Sequence, residues 1–347
     1  MKLPADRAGR RRRGIFRAAA PLLLLGALIA LPFAGLGPNG TRLLFVTYVW
    51  IATSVGWNLL GGFAGQASFG FAVFYGLGAY IAALSINGGI NPYLAFPLAG
   101  AGAAAASLLI GLPTFRLRGP YFAIATIGVS EAVRVVMTNL EFTGGASGYR
   151  ITEARPFHQL EHYATALVLA ATAVGVSIVI RRSKFGLGLI AIREDEDAAA
   201  STGVNPFAYK LWAHAAAAAL TGAAGGVFAR YAAFIYPPGV FAFQTSVGIL
   251  LMPIIGGIGT IWGPVVGAAV YGVVQEELIA RFPQLHLLLY GIFLILVILF
   301  EPGGIVGLVR RSLQRIERAR RHGGPNSASP PPEQVLRRAG SAEGRQL

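Results

Sequence analysis

The sequence predicts an all-α, polytopic helical membrane protein with about ten transmembrane segments. Three observations carry that expectation. The chain of 347 residues is 54% hydrophobic and only 13% charged, with a mean hydropathy of +0.60, which is about half the charge fraction of a soluble domain. Apolar runs of roughly twenty residues, long enough to cross a hydrocarbon core as a helix, recur from end to end, where a β-barrel would alternate. The basic residues collect in alternate connections, as the positive-inside bias requires.

Residues 1–17 carry seven Lys/Arg against one Asp and read as a basic cytoplasmic tail that contacts anionic lipid. The apolar run at 15–36 follows Arg10, Arg11, Arg12 and Arg13, as in an export signal. It is too long for a cleaved signal and reads as a retained first span. Further spans are expected at roughly 41–60, 63–86, 92–112, 119–138, 161–181, 210–232, 246–260, 261–276 and 284–300. With the N-terminus in the cytoplasm, the inner connections fall at 113–118, with Arg116 and Arg118, and at 182–209, with Arg182, Lys184 and Arg193. The outer connections at 87–91 and 233–245 carry no charge. Ten crossings place both termini inside. The stretch 246–276 is short for two spans, and its glycine-rich centre at 256–264 is either a tight turn or part of a re-entrant hairpin, which would leave eight crossings. Residues 18–309 therefore form the transmembrane domain. Residues 310–347, with nine Arg and many Pro, Gly and Ser, lack the apolar residues for a core and form a basic disordered tail. Most of the net charge of +14 lies in the two tails, so it reads as topology and lipid contact and not as nucleic-acid binding.

Within the spans, glycine and polar residues mark the candidate translocation pathway. Asn58, Gly62, Gly65, Gln66, Ser68 and Gly70 make a poor straight lipid-facing helix. Glycine weakens a helix and lets backbones approach, and amides at this depth need a partner or water. The expectation is a broken or tightly packed helix beside the route, as transporters place near the midplane; ordinary close packing is the alternative. The segment 256–271, with Gly256 and Gly257, faintly echoes 61–80 and suggests a diverged internal repeat. Glu131 and Arg134 stand three apart on one helix face and read as a structural intramembrane pair turned toward the bundle. Arg230, Glu276, Glu277 and Glu301 fall near span ends, where snorkelling accounts for them.

Gly144 and Gly145 lie in a glycine-rich turn on the expected outer side, near a solute entrance. The Gly-Ala-Ser-Gly core around Ser147 resembles the nucleophile motif of rhomboid intramembrane proteases, but His158, His162 and His214 are not placed to serve it. An ion-coupled secondary transporter would need midplane carboxylates, and only Glu131 qualifies. The chain has no cysteine, which excludes thiolate catalysis and disulfides.

The long polar interruption at 183–212 is the most informative stretch. The run Arg193, Glu194, Asp195, Glu196, Asp197 cannot enter lipid, because each carboxylate would cost several kcal/mol there. It is followed by Ala198, Ala199 and Ala200, then Gly203. That pattern predicts a short water-exposed helix with a small-residue face suited to docking another protein. No phosphate-binding loop with a Gly-Lys-Ser/Thr ending exists, so an ATP-driven process would place ATP on a separate subunit; the chain itself carries no cofactor.

These segments together resemble the permease subunits of branched-chain amino acid ABC importers of the LivM type. The resemblance rests on WNLLGGFAGQASFG and FYGLGAY, LRGPYFAIATIGVSEAVR, TGGASG, SKFGLGLIAIREDEDAAASTGV, LTGAAGGVFA, IIGGIGTIWGPVVGA and EPGGIVGL, in that order. It implies an ABC importer permease fold and a multi-pass protein of the bacterial inner membrane. It implies as partners two ABC ATPase subunits, a second related permease and an extracytoplasmic solute-binding protein. The family's EAA-x-x-x-G coupling motif is matched by Asp197, Ala198, Ala199 and Gly203, with Asp in place of Glu. The loop 189–203 would then be the coupling helix seated on an ATPase. The chain departs from the family at Ser246-Val247-Gly248, where an acidic residue is common, and at Pro253. The implied solute is a branched-chain amino acid; related permeases move urea and short amides.

Overall fold

The computed structural model describes residues 37–152 and 158–281, together with 285, 288, 291–292, 295, 303–308 and 311. The expected first span, the N-terminal tail, nearly all of the C-terminal tail and most of the span at 284–300 lie outside the described residues. So do Glu301 and the side chains of Glu276 and Glu277. The chain divides into units 1–306 and 307–347, and everything below concerns the first.

In chain order the helices are α1 Pro38–Leu60, α2 Phe71–Asn87, α3 Pro92–Thr114, α4 Pro120–Asn139, α5 Gln159–Arg182, α6 Lys184–Glu194, α7 Glu196–Ser201, α8 Pro206–Ala232, α9 Pro237–Val240, α10 Phe243–Gly256 and α11 Gly263–Arg281. Two short strands, β1 Tyr149–Arg150 and β2 Phe234–Ile235, pair antiparallel. Six stretches among the described residues are long and apolar enough to cross a membrane, and Phe71–Asn87 and Gly263–Gln275 are shorter apolar helices. The fold is thus all-α and polytopic.

The helix boundaries follow local chemistry. Proline opens α1, α3, α4 and α8, where its missing N–H costs nothing and its fixed φ suits the first turn. Asn91 caps α3 by accepting from the Tyr93 N–H at 3.0 Å, and Asn205 caps α8 through the Ala208 N–H at 3.1 Å.

Helix α8 lies at the centre, packed against α1, α2 and α3. Its run from Ala215 to Gly226 is almost entirely Ala and Gly, so neighbouring backbones come into direct contact. A Cβ on Gly78 would collide with the Gly222 carbonyl, and one on Gly225 with the carbonyl of Tyr75. In a lipid medium apolar burial gives little net drive between helices, and close packing of small residues replaces it. Helix α5 closes on α1 through the Tyr48 and Tyr163 hydroxyls, 3.0 Å apart.

Two expected spans need correction. Residues 63–86 are not one helix: α1 ends at Leu60, the chain is irregular to Gly70, and α2 starts only at Phe71. Four glycines and two polar side chains in that interval cannot sustain a helix against the hydrogen bonds described below. The second correction concerns 246–276. It forms two helices, and α10 begins earlier and ends earlier than expected, at Gly256. Helix α11 then runs antiparallel along α1, with its Pro264 carbonyl accepting from Ser54 at 3.1 Å and Gly272 lying against Thr47.

Candidate functional site

The break between α1 and α2 is held open by its neighbours. Ser246 on α10 accepts from the Ala72 N–H at 2.8 Å, and Thr126 on α4 accepts from the Phe69 N–H at 3.0 Å. These hydroxyls satisfy donors at the start of α2 that no preceding turn can reach. The Trp57 indole N–H donates to the Ser68 carbonyl at 2.8 Å, folding the irregular stretch back over the end of α1. Ser68 and Gly70 are buried, Gln66 is half-buried and Gly65 is exposed. Gln66 makes no side-chain hydrogen bond among the described residues. Behind the break is a void of about 10 Å³ lined by Ser68, Gly70, Thr126 and His214, which holds at most one water.

The second break, at 257–262, meets the first through Asn58. This residue is fully buried; it donates to the Thr260 carbonyl at 2.9 Å and accepts from the Gly259 N–H at 2.8 Å. Thr260 in turn accepts from the Gly263 N–H at 2.8 Å, which starts α11. Gly62 is obligatory for the same contact, since a Cβ there would fall on the Asn58 amide. Gly256 lies against Gly263, and Gly257 takes φ +128°, a conformation open in practice to glycine alone. The faint echo between 61–80 and 256–271 thus corresponds to two helix breaks in direct contact.

At the same end of the bundle stands the charged loop. Ser183 caps α6 through the Gly186 N–H at 3.1 Å. Asp195 caps α7 by accepting from the N–H groups of Asp197 and Ala198 at 3.0 and 2.9 Å. Gly203, at φ +89°, ends it, with the Val204 N–H donating back to the Ala199 carbonyl at 3.2 Å. Ala199 is buried, whereas Ala198, Ala200 and Ser201 are exposed. Lys210, 1% exposed, donates to Glu196 at 2.7 Å and fixes the loop to α8. Arg118 pairs with Asp197 at 3.2 Å on the surface. Arg193, itself an exposed residue, reaches from the loop to donate to the Gly62 carbonyl at 3.0 Å, and Glu194 is exposed beside it.

The remaining candidates lie apart. Glu131 and Arg134 form an ion pair, with Arg134 Nε donating to Glu131 Oε2 at 2.9 Å. The pair sits on an outward face of α4, with side-chain exposures of 56% and 31%, and not in the interior that the sequence suggested. Around it Tyr121, Ile124, Val135 and Val136 are exposed as well. Gly144 and Gly145, both at positive φ, form tight turns at the opposite end from the charged loop. There the β1–β2 ladder ties them to the end of α8, with Tyr149 opposite Ile235.

A polar cluster at that opposite end escaped sequence reasoning. Arg230, which snorkelling was expected to explain, is 5% exposed and donates to Glu161 at 2.8 Å; the Tyr93 hydroxyl donates to the same carboxylate oxygen at 2.6 Å. Its only sequence signal was a charge at each of two span ends. Next to it a groove of about 500 Å³ between α3, α5 and α8 is lined mostly by apolar side chains. Its polar lining is Tyr93, Glu161, Thr165 and Thr172, and Glu161 is already engaged by Arg230 and Tyr93.

Residues 40–298 match the family described as branched-chain amino acid transport system / permease component. The chain is 31% identical to the high-affinity branched-chain amino acid transport system permease protein LivM of Salmonella typhimurium, over 84% of this chain and 76% of that one. It is 32% identical to the protein of the same name from Escherichia coli K12, over 78% and 70%. A probable branched-chain amino acid transport permease protein LivH from Methanocaldococcus jannaschii is 25% identical over 61% and 65%. No solved structure gives a significant match. The relatives are transport permeases and not enzymes, which sets the protease alternative aside. With most of its length matched, this chain belongs to the branched-chain amino acid transport permease family.

Proposed function

We propose that the chain is a LivM-type membrane subunit of an ATP-driven importer of branched-chain amino acids in the bacterial inner membrane. Two ABC ATPases drive it, a second and different permease completes the pathway, and an extracytoplasmic binding protein delivers the solute. Both termini face the cytoplasm, and membrane lipid surrounds the bundle. The observation that carries the reading is the loop 195–203. It is a capped helix of small residues, tied to the bundle by Lys210 and exposed at Ala198 and Ala200, which is what a docking element requires.

The pathway follows the two broken segments, where Gln66 and Gly65 are the accessible members of the first break. The face of α4 that carries Glu131 and Arg134 meets the second permease, because an exposed ion pair is poorly tolerated against lipid. Rigid-body movement of the loop by the ATPases then alternates access.

Proteoliposomes holding this chain, its co-purifying subunits and the binding protein test the reading. Uptake of labelled leucine, isoleucine or valine that requires internal ATP is the expected result. Uptake of urea alone would keep the mechanism and change the solute. Uptake driven by an ion gradient and indifferent to ATP would overturn it.

A further inference from the structure

The loop and the two breaks share one side chain. Arg193 sits in the last turn of α6, two residues before the cap of the docking helix. Its Nη1 donates to the Gly62 carbonyl at 3.0 Å. A Cβ on Gly65 would come within 3.1 Å of Arg193 Cγ, and one on Gly259 would collide with Nη1. A single side chain therefore lies against both breaks: its stem against Gly65, and its guanidinium against the Gly62 carbonyl and Gly259. Helices α1 and α10 both end close by, at Leu60 and Gly256, and the negative end of a helix dipole favours a cation nearby. The other ion pairs of the loop run elsewhere: Glu196 to Lys210 on α8, and Asp197 to Arg118 at the surface. Arg181, at the end of α5, adds a second cation 5.4 Å over the Phe63 ring.

We propose that Arg193 is the positioning residue that transmits motion of the docking loop to both breaks. The Asn58 bridge makes the two breaks one body, since Gly259 and Thr260 are bonded to the end of α1. Arg193 then couples that body to the ATPase side. When the loop moves, the end of α1 and the turn before α11 move together, and the pathway changes at the cytoplasmic end. A side chain that merely filled space here would not need a donor on the Gly62 carbonyl. This inference rests on the assignment of 195–203 as the docking loop.

The assembled importer in proteoliposomes tests it, with leucine, binding protein and ATP as probes. Arg193→Gln is expected to retain the co-purifying ATPase and its hydrolysis, and to lose about tenfold or more of the leucine moved per ATP, the scale set by one charge-assisted hydrogen bond. Arg193→Lys, which restores a cation, should recover part of the ratio. An unchanged ratio in Arg193→Gln overturns the proposal. Should that variant not assemble, Arg193→Met decides, because its unbranched stem fills the same space without a donor: a collapsed ratio supports the strut and an unchanged one overturns it. Ala198→Arg separates the two ideas. Retained ATPase binding in that variant sinks the docking assignment, whereas lost binding beside an unchanged Arg193→Gln ratio sinks only the strut.

Discussion

Asn58 accepts from the Gly259 N–H at 2.8 Å across 201 residues of sequence, and the same side chain donates to the next carbonyl, that of Thr260. One amide thereby satisfies a donor and an acceptor at a helix break that has no helical partners of its own. Inside a membrane bundle these groups have little water to turn to.

Replacing Asn58 by Ala leaves the Gly259 N–H and the Thr260 carbonyl unpaired, at about 1–3 kcal/mol for each buried group. The expected outcome is a fall of several degrees in the apparent Tm of the purified protein in detergent. Asn58→Asp keeps the acceptor but removes the donor and buries a charge, so its midpoint should fall further. A midpoint unchanged in both variants would show that the two breaks are held together by something else.

The small-residue contacts of α8 predict a sharp contrast between two glycines. Gly225→Val places its side chain on the Tyr75 carbonyl, whereas Gly175, on α5, has open space around it. Gly225→Val should abolish recovery of monodisperse protein, as judged by size-exclusion chromatography. Gly175→Val should elute at the wild-type volume and yield.

Lys210 and Arg118 both pair with carboxylates of the docking helix, but in different surroundings. Lys210 is 1% exposed, and Glu196 retains 23% exposure. Lys210→Met should therefore cost on the order of 3 kcal/mol, the lower end for breaking a buried pair. Arg118 and Asp197 are 67% and 80% exposed, and Arg118→Ala should cost less than about 1 kcal/mol. Limited proteolysis at the loop reads the difference: cleavage should accelerate markedly in the first variant and little in the second.

The helices were legible through the apolar runs; their starts were not read from the sequence, and the structure assigns them to prolines and to the capping residues Asn91, Ser183 and Asn205. The charged loop was legible because four carboxylates in a row must stand in water. The break at 61–70 was foreshadowed by its glycines. Its full length was not, because the groups that hold it open, Thr126 and Ser246, are remote in sequence. The same holds for Arg193, whose partner at Gly62 is 131 residues away. Glu161 and Arg230 each looked like an ordinary span-end charge, and only the packing of α5 against α8 brings them together. The outward position of Glu131 and Arg134 was hidden for another reason. A helix that carries an ion pair on its outward face has the same pattern of charge as one that turns the pair toward its own bundle.

The most direct test of the docking assignment uses the absence of cysteine from the chain. A single Cys placed at Ala198 carries the only thiol of this subunit and sits on the exposed face of α7. A second variant carries Cys at Gly89, at the opposite end of the bundle, where the site is open. In membranes containing the whole importer, a short bifunctional cross-linker should join the Ala198→Cys chain to an ATPase subunit. It should leave the Gly89→Cys chain unlinked to any ATPase. Cross-linking of the ATPase from Gly89→Cys and not from Ala198→Cys would contradict the account.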